Sequence, residues 1–335
     1  WADQSGNGHN AANGNSAGQP LWISNAVNGH PTLRFDGTND LLSIGFGTTN
    51  LREAFLVLKA RADAPTSSRG LWQFGLNSNN SYYPKGTNRE IWDAFGSTTF
   101  HNVGIPAQAL DQYHIYNVLS ATNEWTARIN GSIQYTVAAN NLFGGNFLNL
   151  GVGNTSGDKY FDGEIAEVVI YTRALTSTER QSVGAYLAQK YNLVSAPQIP
   201  TTLVASALST NQVMLSWDSS PTGLLSNTKI ERKTGLEGTY AQIAIVENSV
   251  SYLDTNLAAG TEYFYRIRAN NLAGDSEYSD PTNVTTLTNE MALPLDMKIW
   301  LRADAGVFLK AGDVVWRWAD QSGNGHNAAN GNSAG

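Results

Sequence analysis

Two glutamates in one strand-like segment are the residues best placed for acid–base chemistry. Glu164 and Glu167 flank Ile165 and Ala166 at the start of an apolar run. Glycosidases need two carboxylates on either side of the bond they cleave. Side chains alternate between the faces of a strand, so a separation of three predicts that these two point to opposite faces. Asp162 would share a face with Glu164, but it precedes Gly163 and is expected in a turn. The pattern gives no catalytic carboxylate pair.

Two other signatures of chemistry lack the context they need. Gly14-Asn15-Ser16-Ala17-Gly18 matches the G-x-S-x-G nucleophile elbow, which requires a strand before the serine and a helix after it. Here an asparagine-rich loop and Gln19-Pro20 flank the motif, so we expect no nucleophile. No histidine pair has the spacing of a zinc site; the five are His9, His30, His101, His114 and His326. We therefore expect that the chain is not an enzyme.

A loop rich in asparagine and tyrosine has the composition of a glycan-binding surface. Residues 77–84 read Asn-Ser-Asn-Asn-Ser-Tyr-Tyr-Pro, and Trp92 and Asp93 follow. Tyr82, Tyr83 and Trp92 could form an aromatic platform, with Asp93 as a nearby carboxylate. The same residues also suit an ordinary loop, and Trp92 suits a core. Both interpretations stay open.

The first eighteen residues, 1–18, recur letter for letter as residues 318–335, an offset of 317 residues. Selection on a fold alone would not preserve every surface residue. The repeat predicts a tandem array of nearly identical units, whose usual roles are reach, avidity or scaffolding. The expected partners are neighbouring copies of the same repeat.

The composition favours an extracellular chain. There is no cysteine, which excludes a disulfide framework and thiolate metal ligands. The net charge of −7 and the pI near 5.2 argue against a nucleic-acid partner. No apolar run approaches the ~20 residues of a membrane span.

A proline-punctuated connector, Ser195-Ala196-Pro197-Gln198-Ile199-Pro200, divides the chain. The second module, residues 197–288, alternates short apolar runs with turn residues, as a seven-stranded sandwich does. It resembles a fibronectin type III module through Pro200, Trp217, the segment 257–263 and the segment 265–271. The resemblance implies that Trp217 is a core residue and that the hydroxyl of Tyr263 bonds to the backbone upstream.

The first module, residues 1–196, contains many strand-like stretches and one helix. Asn130-Gly131 predicts a hairpin turn. Thr176 and Glu179 predict a capping box, followed by a helical stripe of Val183, Tyr186, Leu187 and Tyr191. This module resembles the laminin G/concanavalin A-like jelly rolls of bacterial tandem-repeat surface adhesins through five segments: 1–9 or its copy 318–326, 33–40, 127–131, 161–167 and 171–187.

That resemblance implies two further features. Calcium is a candidate cofactor, with Asp36, Asn39 and Asp40 as its ligands, although a turn-capping role suits Asp36 better. Residues 289–335 look like the start of the next jelly roll, and Met297 to Asp304 looks like its first strand. A first module without that strand would expose a sheet edge.

The sequence thus predicts an all-β protein, a concanavalin A-like jelly-roll sandwich with one C-terminal helix followed by an immunoglobulin-like fibronectin type III sandwich. We expect an extracellular, non-catalytic structural or adhesive repeat. The alternatives are a multivalent lectin-like module that binds surface glycans and an accessory region of a carbohydrate-active enzyme. The connector is expected to be short and ordered, with Leu193 and Val194 buried at the joint.

Overall fold

The computed structural model divides into two compact units, Trp1–Thr286 and Leu287–Gly335. The described residues are 1–74, 81–153, 160–218, 227–247, 249–288, 299, 301, 303, 305, 307–310, 314–321 and 325–329. The predicted strand from Met297 to Asp304 falls mostly outside them, so its pairing stays a prediction. Among the described residues, no helix is long and apolar enough to cross a bilayer.

In its described residues, the first module has fourteen strands and one α-helix. The helix α1 spans Ser177–Tyr191, and short 3-10 helices cover Ser16–Gly18 and Gly86–Asn88. The strands are β1 (Ala11–Ala12), β2 (Leu21–Val27), β3 (His30–Asp36), β4 (Leu42–Thr49), β5 (Glu53–Ala60), β6 (Trp72–Phe74), β7 (Ser81–Lys85), β8 (Glu90–Asp93), β9 (His101–Gly104), β10 (His114–Ala121), β11 (Glu124–Ile129), β12 (Ser132–Val137), β13 (Gly145–Leu150) and β14 (Asp162–Tyr171).

These strands form two facing sheets and a smaller third one. The first sheet has the order β1-β4-β13-β6, the second β12-β11-β10-β5-β14-β3-β2, and the third β7-β8-β9. Side chains from the first two sheets share one apolar core, which includes Leu56 and Leu58 of β5 and Leu148 and Leu150 of β13. The prediction of an all-β sandwich is confirmed.

The second module is a smaller sandwich of two sheets. Its strands are β15 (Val204–Ala207), β16 (Gln212–Ser216), β17 (Asn227–Thr234), β18 (Ala241–Val246), β19 (Ser251–Thr255), β20 (Glu262–Asn271), β21 (Gly274–Asp275) and β22 (Thr282–Thr285). One sheet has the order β15-β16-β19, the other β18-β17-β20-β21, and β22 also pairs with β20. Trp217 lies in its core, and Ala258 N donates to the hydroxyl of Tyr263 over 2.9 Å.

The described residues of the second compact unit form one small sheet. It consists of β23 (Val307–Lys310), β24 (Val314–Trp318) and β25 (Ala328–Ala329), in that order.

Helix α1 begins at the expected capping box. Thr176 accepts from Glu179 N, and the Glu179 carboxylate accepts from Thr176 N. The predicted stripe needs one correction, because Tyr186 is half exposed and donates to Glu167, whereas Leu187 and Tyr191 are buried. The small residues Gly184 and Ala188 complete the buried side of the helix beside Leu187 and Tyr191.

The outer face of the seven-stranded sheet carries a second apolar cluster. Phe55, Val57 and Ile115 point away from the first core and pack with α1. Leu272, from the turn between β20 and β21 of the second module, belongs to the same cluster and is 6% exposed. A β-carbon on Gly184 would lie only 2.7 Å from Leu272 Cδ2, so glycine permits this close approach.

Two hydrogen bonds accompany this contact between the modules. Gln181 Nε2 donates to Asn270 Oδ1 over 2.7 Å, and Asn271 Nδ2 donates to the carbonyl of Ser195 in the connector over 2.8 Å. Val194 is buried and Leu193 is partly buried against the same cluster. The modules therefore share apolar packing and are not joined by the connector alone.

We expect Leu272→Ala to loosen the joint and leave both modules folded. Truncating a buried leucine costs about 2–5 kcal/mol, here lost from contacts between modules. Small-angle scattering should show a broader distribution of interatomic distances for the variant, with unchanged circular dichroism. Leu236→Ala is the matched control, because Leu236 is 68% exposed. Identical scattering from Leu272→Ala and wild type would contradict the shared packing.

Candidate functional site

The predicted glycan-binding residues divide between the two faces of the small β7-β8-β9 sheet. Ser81 pairs with Asp93 and Tyr82 pairs with Trp92 across β7 and β8. Tyr82 and Trp92 are half-buried, whereas Tyr83 and Asp93 are buried completely or almost so. The expectation of one exposed platform therefore does not hold for Tyr83 and Asp93, because the alternation of the strand turns them into the core.

Tyr82 and Trp92 form an aromatic patch with a residue that the sequence did not single out. Phe100 lies between them, with ring centroids 5.6 Å from Tyr82 and 5.3 Å from Trp92. The Lys85 ammonium lies 3.9 Å from the centre of the Trp92 ring, and Trp92 Nε1 donates to Glu90 Oε2 over 2.8 Å. Aromatic faces beside charged groups can stack on a sugar ring and bond its hydroxyls. The asparagines at positions 77, 79 and 80, which the prediction included, lie outside the described residues.

Asp93 is the centre of a buried polar network. Its carboxylate accepts from Trp72 Nε1 over 3.0 Å, from the Tyr116 hydroxyl over 2.8 Å and from Phe95 N over 2.9 Å. Burial raises the pKa of Asp93 to about 6, despite these hydrogen bonds. These contacts make Asp93 a structural residue of the core.

His114 is buried in the same core, and its pKa is shifted downwards, whereas that of Asp93 is shifted upwards. It hydrogen-bonds the Tyr83 hydroxyl through Nε2, and its Nδ1 contacts the carbonyl of Gln112 at 2.7 Å. Burial lowers the pKa of His114 to about 4, although the contact with Gln112 favours the charged form.

The predicted calcium ligands form a turn at the end of β3. Asp36 Oδ1 accepts from Thr38 N over 2.7 Å and from Asn39 N over 3.2 Å, while Asp40 Oδ2 accepts from Asp36 N over 2.9 Å. Burial raises the pKa of Asp40. In the described part of the chain, no group of three or more acidic, histidine or cysteine residues could hold a metal. The hydrogen bonds of Asp36 and Asp40 fit turn capping, and calcium binding stays a prediction.

The structure corrects the predicted positions of Glu164 and Glu167. The register of β14 against β5 shifts between Ile165 and Glu167, so a β-bulge interrupts the alternation. Both glutamates therefore point to the outer face of the seven-stranded sheet. Sequence periodicity alone cannot reveal an inserted residue of this kind.

Each of these glutamates is engaged in a structural network. Glu164 accepts from Thr32, Arg34 and Tyr113; burial alone would raise its pKa, but these hydrogen bonds lower it. Glu167 accepts from three side chains of α1: Tyr186, Lys190 and Tyr191. Glu167 therefore ties α1 to the sheet, and Glu164 ties β14 to β3 and to Tyr113.

We expect Asp93→Asn to make the first module more sensitive to acid. Asp93 holds its proton to about pH 6 when folded but to about pH 4 when unfolded, so its contribution to stability is present below pH 4 and lost by pH 6. The contribution of His114 is present above about pH 6.5 and lost as the pH falls to about 4. Each contribution amounts to about 3 kcal/mol. Because one grows and the other shrinks as the pH falls, the two changes offset each other in wild type.

Hydrogen exchange of the β10 amides between pH 7 and pH 4, corrected for intrinsic rates, measures this difference. The variant should lose about 3 kcal/mol more than wild type over that range. Asp218→Asn, at an exposed residue, should follow the wild-type profile. Parallel profiles for Asp93→Asn and wild type would show that the two groups do not oppose each other.

Two family models match this chain in separate regions. The model of the concanavalin A-like lectin/glucanases superfamily matches residues 49–179, and the fibronectin type III domain model matches residues 195–285. No curated protein matches the chain.

Similar solved structures include three fibronectin type III domains. A Fn3-like protein from Clostridium thermocellum is 31% identical with a TM-score of 0.25, and the alignment covers 29% of this chain and 100% of that one. The FN3 domain of human collagen XX is 28% identical with a TM-score of 0.24, covering 28% and 98%. The FN5 domain of Drosophila Lar is 21% identical with a TM-score of 0.25, covering 28% and 100%. The chain therefore combines a concanavalin A-like module with a fibronectin type III module.

Proposed function

We propose that this chain is a non-catalytic structural and adhesive repeat of a large extracellular protein, with neighbouring copies of itself as its partners. Both module types commonly occur outside cells. Alternating modules of fixed geometry suit a stalk or filament, in which the orientation of each unit is passed to the next.

The observation that carries this proposal is that the two copies of the repeated segment make the same contacts where both are described, in residues 1–4 and 8–12 and in residues 318–321 and 325–329. Trp1 and Ala11 exchange two backbone hydrogen bonds of 2.8 and 2.9 Å, and their counterparts Trp318 and Ala328 pair in β24 and β25. Identical sequences at two places in one chain thus adopt the same hairpin.

The described residues of the hairpin loop also make the same contacts in both copies. Asp3 N donates to Asn10 over 2.8 Å, and Asp320 N donates to Asn327 over 2.9 Å. The carboxylates of these aspartates accept from the backbone of His9 and His326 over 3.0 and 3.1 Å.

The strands before the second copy support a proposal for what precedes this hairpin in an array. Arg317 pairs with Ala329, and β23 pairs with β24 on the other side. Ala12 is the counterpart of Ala329, and among the described residues β1 is the outermost strand of its sheet. The same pairing in an array would extend that sheet from four strands to six and cover its β1 edge.

A chain of two tandem copies, residues 1–317 followed by 1–335, tests this proposal. We expect the downstream first module to unfold at a higher temperature than the upstream one, because only the downstream β1 is covered by a preceding hairpin. Each kcal/mol gained shifts the midpoint by ~2–4 °C in a module of this size. Calorimetry measures the two unfolding transitions. A destabilising core substitution in one copy lowers the midpoint of that copy's transition and so shows which transition belongs to it.

Val315→Pro in the upstream copy is the matched control. Proline removes a donor from β24 and weakens the ladder, so the midpoint of the downstream module should fall to that of the upstream one. Equal midpoints for the two unmodified modules would count against an array whose units complete one another.

The aromatic patch favours a second function, a multivalent lectin-like module. Tyr82, Trp92 and Phe100 supply the stacking surface, and Lys85 and Glu90 supply charged groups beside it. Repetition along an array would then convert weak binding of surface glycans into avidity.

If the patch binds glycans, Trp92→Ala should lower the affinity for a retained oligosaccharide by about tenfold, as loss of one aromatic contact does. A glycan array identifies the oligosaccharide, and titration calorimetry measures the affinity. Trp22→Ala is the matched control, because Trp22 is 64% exposed on β2, away from the patch. Unchanged affinity in Trp92→Ala, or an equal loss in Trp22→Ala, would exclude the patch as the site.

A further inference from the structure

A cavity of about 290 Å³ lies where the second module packs against the first. Arg128, Ser177 and Gln181 line it from the first module, and Asn227, Ile245 and Leu272 line it from the second. We name it the joint cavity. Its volume is at the lower end of the range of small-molecule sites. It shares no lining residue with the aromatic patch.

The joint cavity is lined by a guanidinium group, that of Arg128, which makes no hydrogen bond to a carboxylate in the described part of the chain. The side chain of Arg128 is only 12% exposed. Arg128 NH1 donates to Asn117 Oδ1 over a long 3.3 Å, and NH2 lies 3.8 Å from the half-exposed Glu124. Burial, with the nearby charge of Arg180, lowers the pKa of Arg128 to about 10, so it remains protonated at neutral pH.

The buried carboxylate near Arg128, that of Glu53, is already paired with another arginine. Glu53 is fully buried and forms a two-pronged ion pair with Arg180 through its two oxygens. Leu175 N and the Asn117 amide also donate to it. Glu53 is engaged by these donors, and in the described part of the chain it makes no hydrogen bond to Arg128. The charges of Glu53, Glu124 and Glu247 therefore act on Arg128 only through space.

Two further features of the wall favour an anion with hydroxyl groups. Ser177 and Thr178, the first residues of α1, line the joint cavity, so the positive end of the helix dipole faces it. Ser132 and Asn227 also line it. Their side-chain oxygens, Ser132 Oγ and Asn227 Oδ1, are buried without a hydrogen-bond partner in the described part of the chain. Buried polar atoms of this kind are normally satisfied.

We propose that the joint cavity binds a monosaccharide-sized sugar acid, whose carboxylate pairs with Arg128 and whose hydroxyls bond Ser132 and Asn227. A planar carboxylate matches the guanidinium in a bidentate pair. The apolar face of the ring would lie against Ile245 and Leu272 of the second module. The bound sugar acid would contact both modules and hold their joint closed.

The exposed Glu247 of the second module provides a second way to recognise binding of a carboxylate in the joint cavity. It also lines the joint cavity, and its charge acts on Arg128. A bound carboxylate would be repelled by Glu247, so removing this charge should strengthen binding. A neutral sugar would not respond to the same change.

The test is titration calorimetry of the whole chain with glucuronate, glucose and benzoate. We expect glucuronate to bind at least tenfold more tightly than glucose, which lacks the carboxylate, and than benzoate, which lacks the hydroxyls. Arg128→Gln should weaken glucuronate binding at least tenfold, and Glu247→Gln should strengthen it. Arg61→Gln, at a side chain that is 72% exposed, should change nothing.

Circular dichroism and thermal melting establish that Arg128→Gln is folded, and Arg128→Lys provides a second variant that keeps the charge but loses the bidentate geometry. Lysine should give an intermediate affinity. The proposal is overturned if glucuronate does not bind, if glucose or benzoate binds equally well, or if binding survives Arg128→Gln. None of these outcomes depends on whether the chain forms an array.

Discussion

The seven-stranded sheet carries large apolar residues on both faces, and the rest of the molecule is arranged to cover them. In β5 every residue except Lys59 is buried, with Ala54, Leu56 and Leu58 facing the first core and Phe55 and Val57 facing outwards. Burying a large apolar side chain stabilises a fold by about 1.5–3 kcal/mol. The four-stranded sheet covers the inner face. The outer face needs α1 and also Leu272 from the second module.

This two-sided burial explains why charged groups lie under the joint. Glu53 shares the outer face with Phe55 and Val57, so its carboxylate must be satisfied by Arg180, Asn117 and the backbone of Leu175. An unpaired carboxylate there would be costly. The same arrangement leaves Arg128 at the margin, where the apolar cover ends and the joint cavity begins.

Local rules predicted the elements of the fold better than the sites on them. The two residues Asn130 and Gly131 join β11 to β12 with positive φ angles of 50° and 86°, as their sequence indicated. Thr176 and Glu179 cap α1 as predicted. These features depend on a few neighbouring residues, so their signal is contained in the sequence.

The errors came from features that depend on tertiary structure. A bulge near Ala166 turned Glu167 to the face of Glu164, and no residue type marks that insertion. Tyr83 and Asp93 resembled loop residues, but pairing within β7 and β8 directed them into the core. Leu272 gave no sign of its role either, because a leucine in a turn indicates burial only when its partner surface is known.

The central claim is that the second module is held at one orientation by the cover it provides for the sheet. The absence of cysteine allows two spin labels to be placed without competing thiols, at Arg61→Cys in the first module and Glu237→Cys in the second. Pulsed dipolar spectroscopy then measures the distribution of distances between the labels. A single narrow peak, no wider than the labels themselves produce, is the expected result. A broad distribution like that of a flexible linker would contradict the claim.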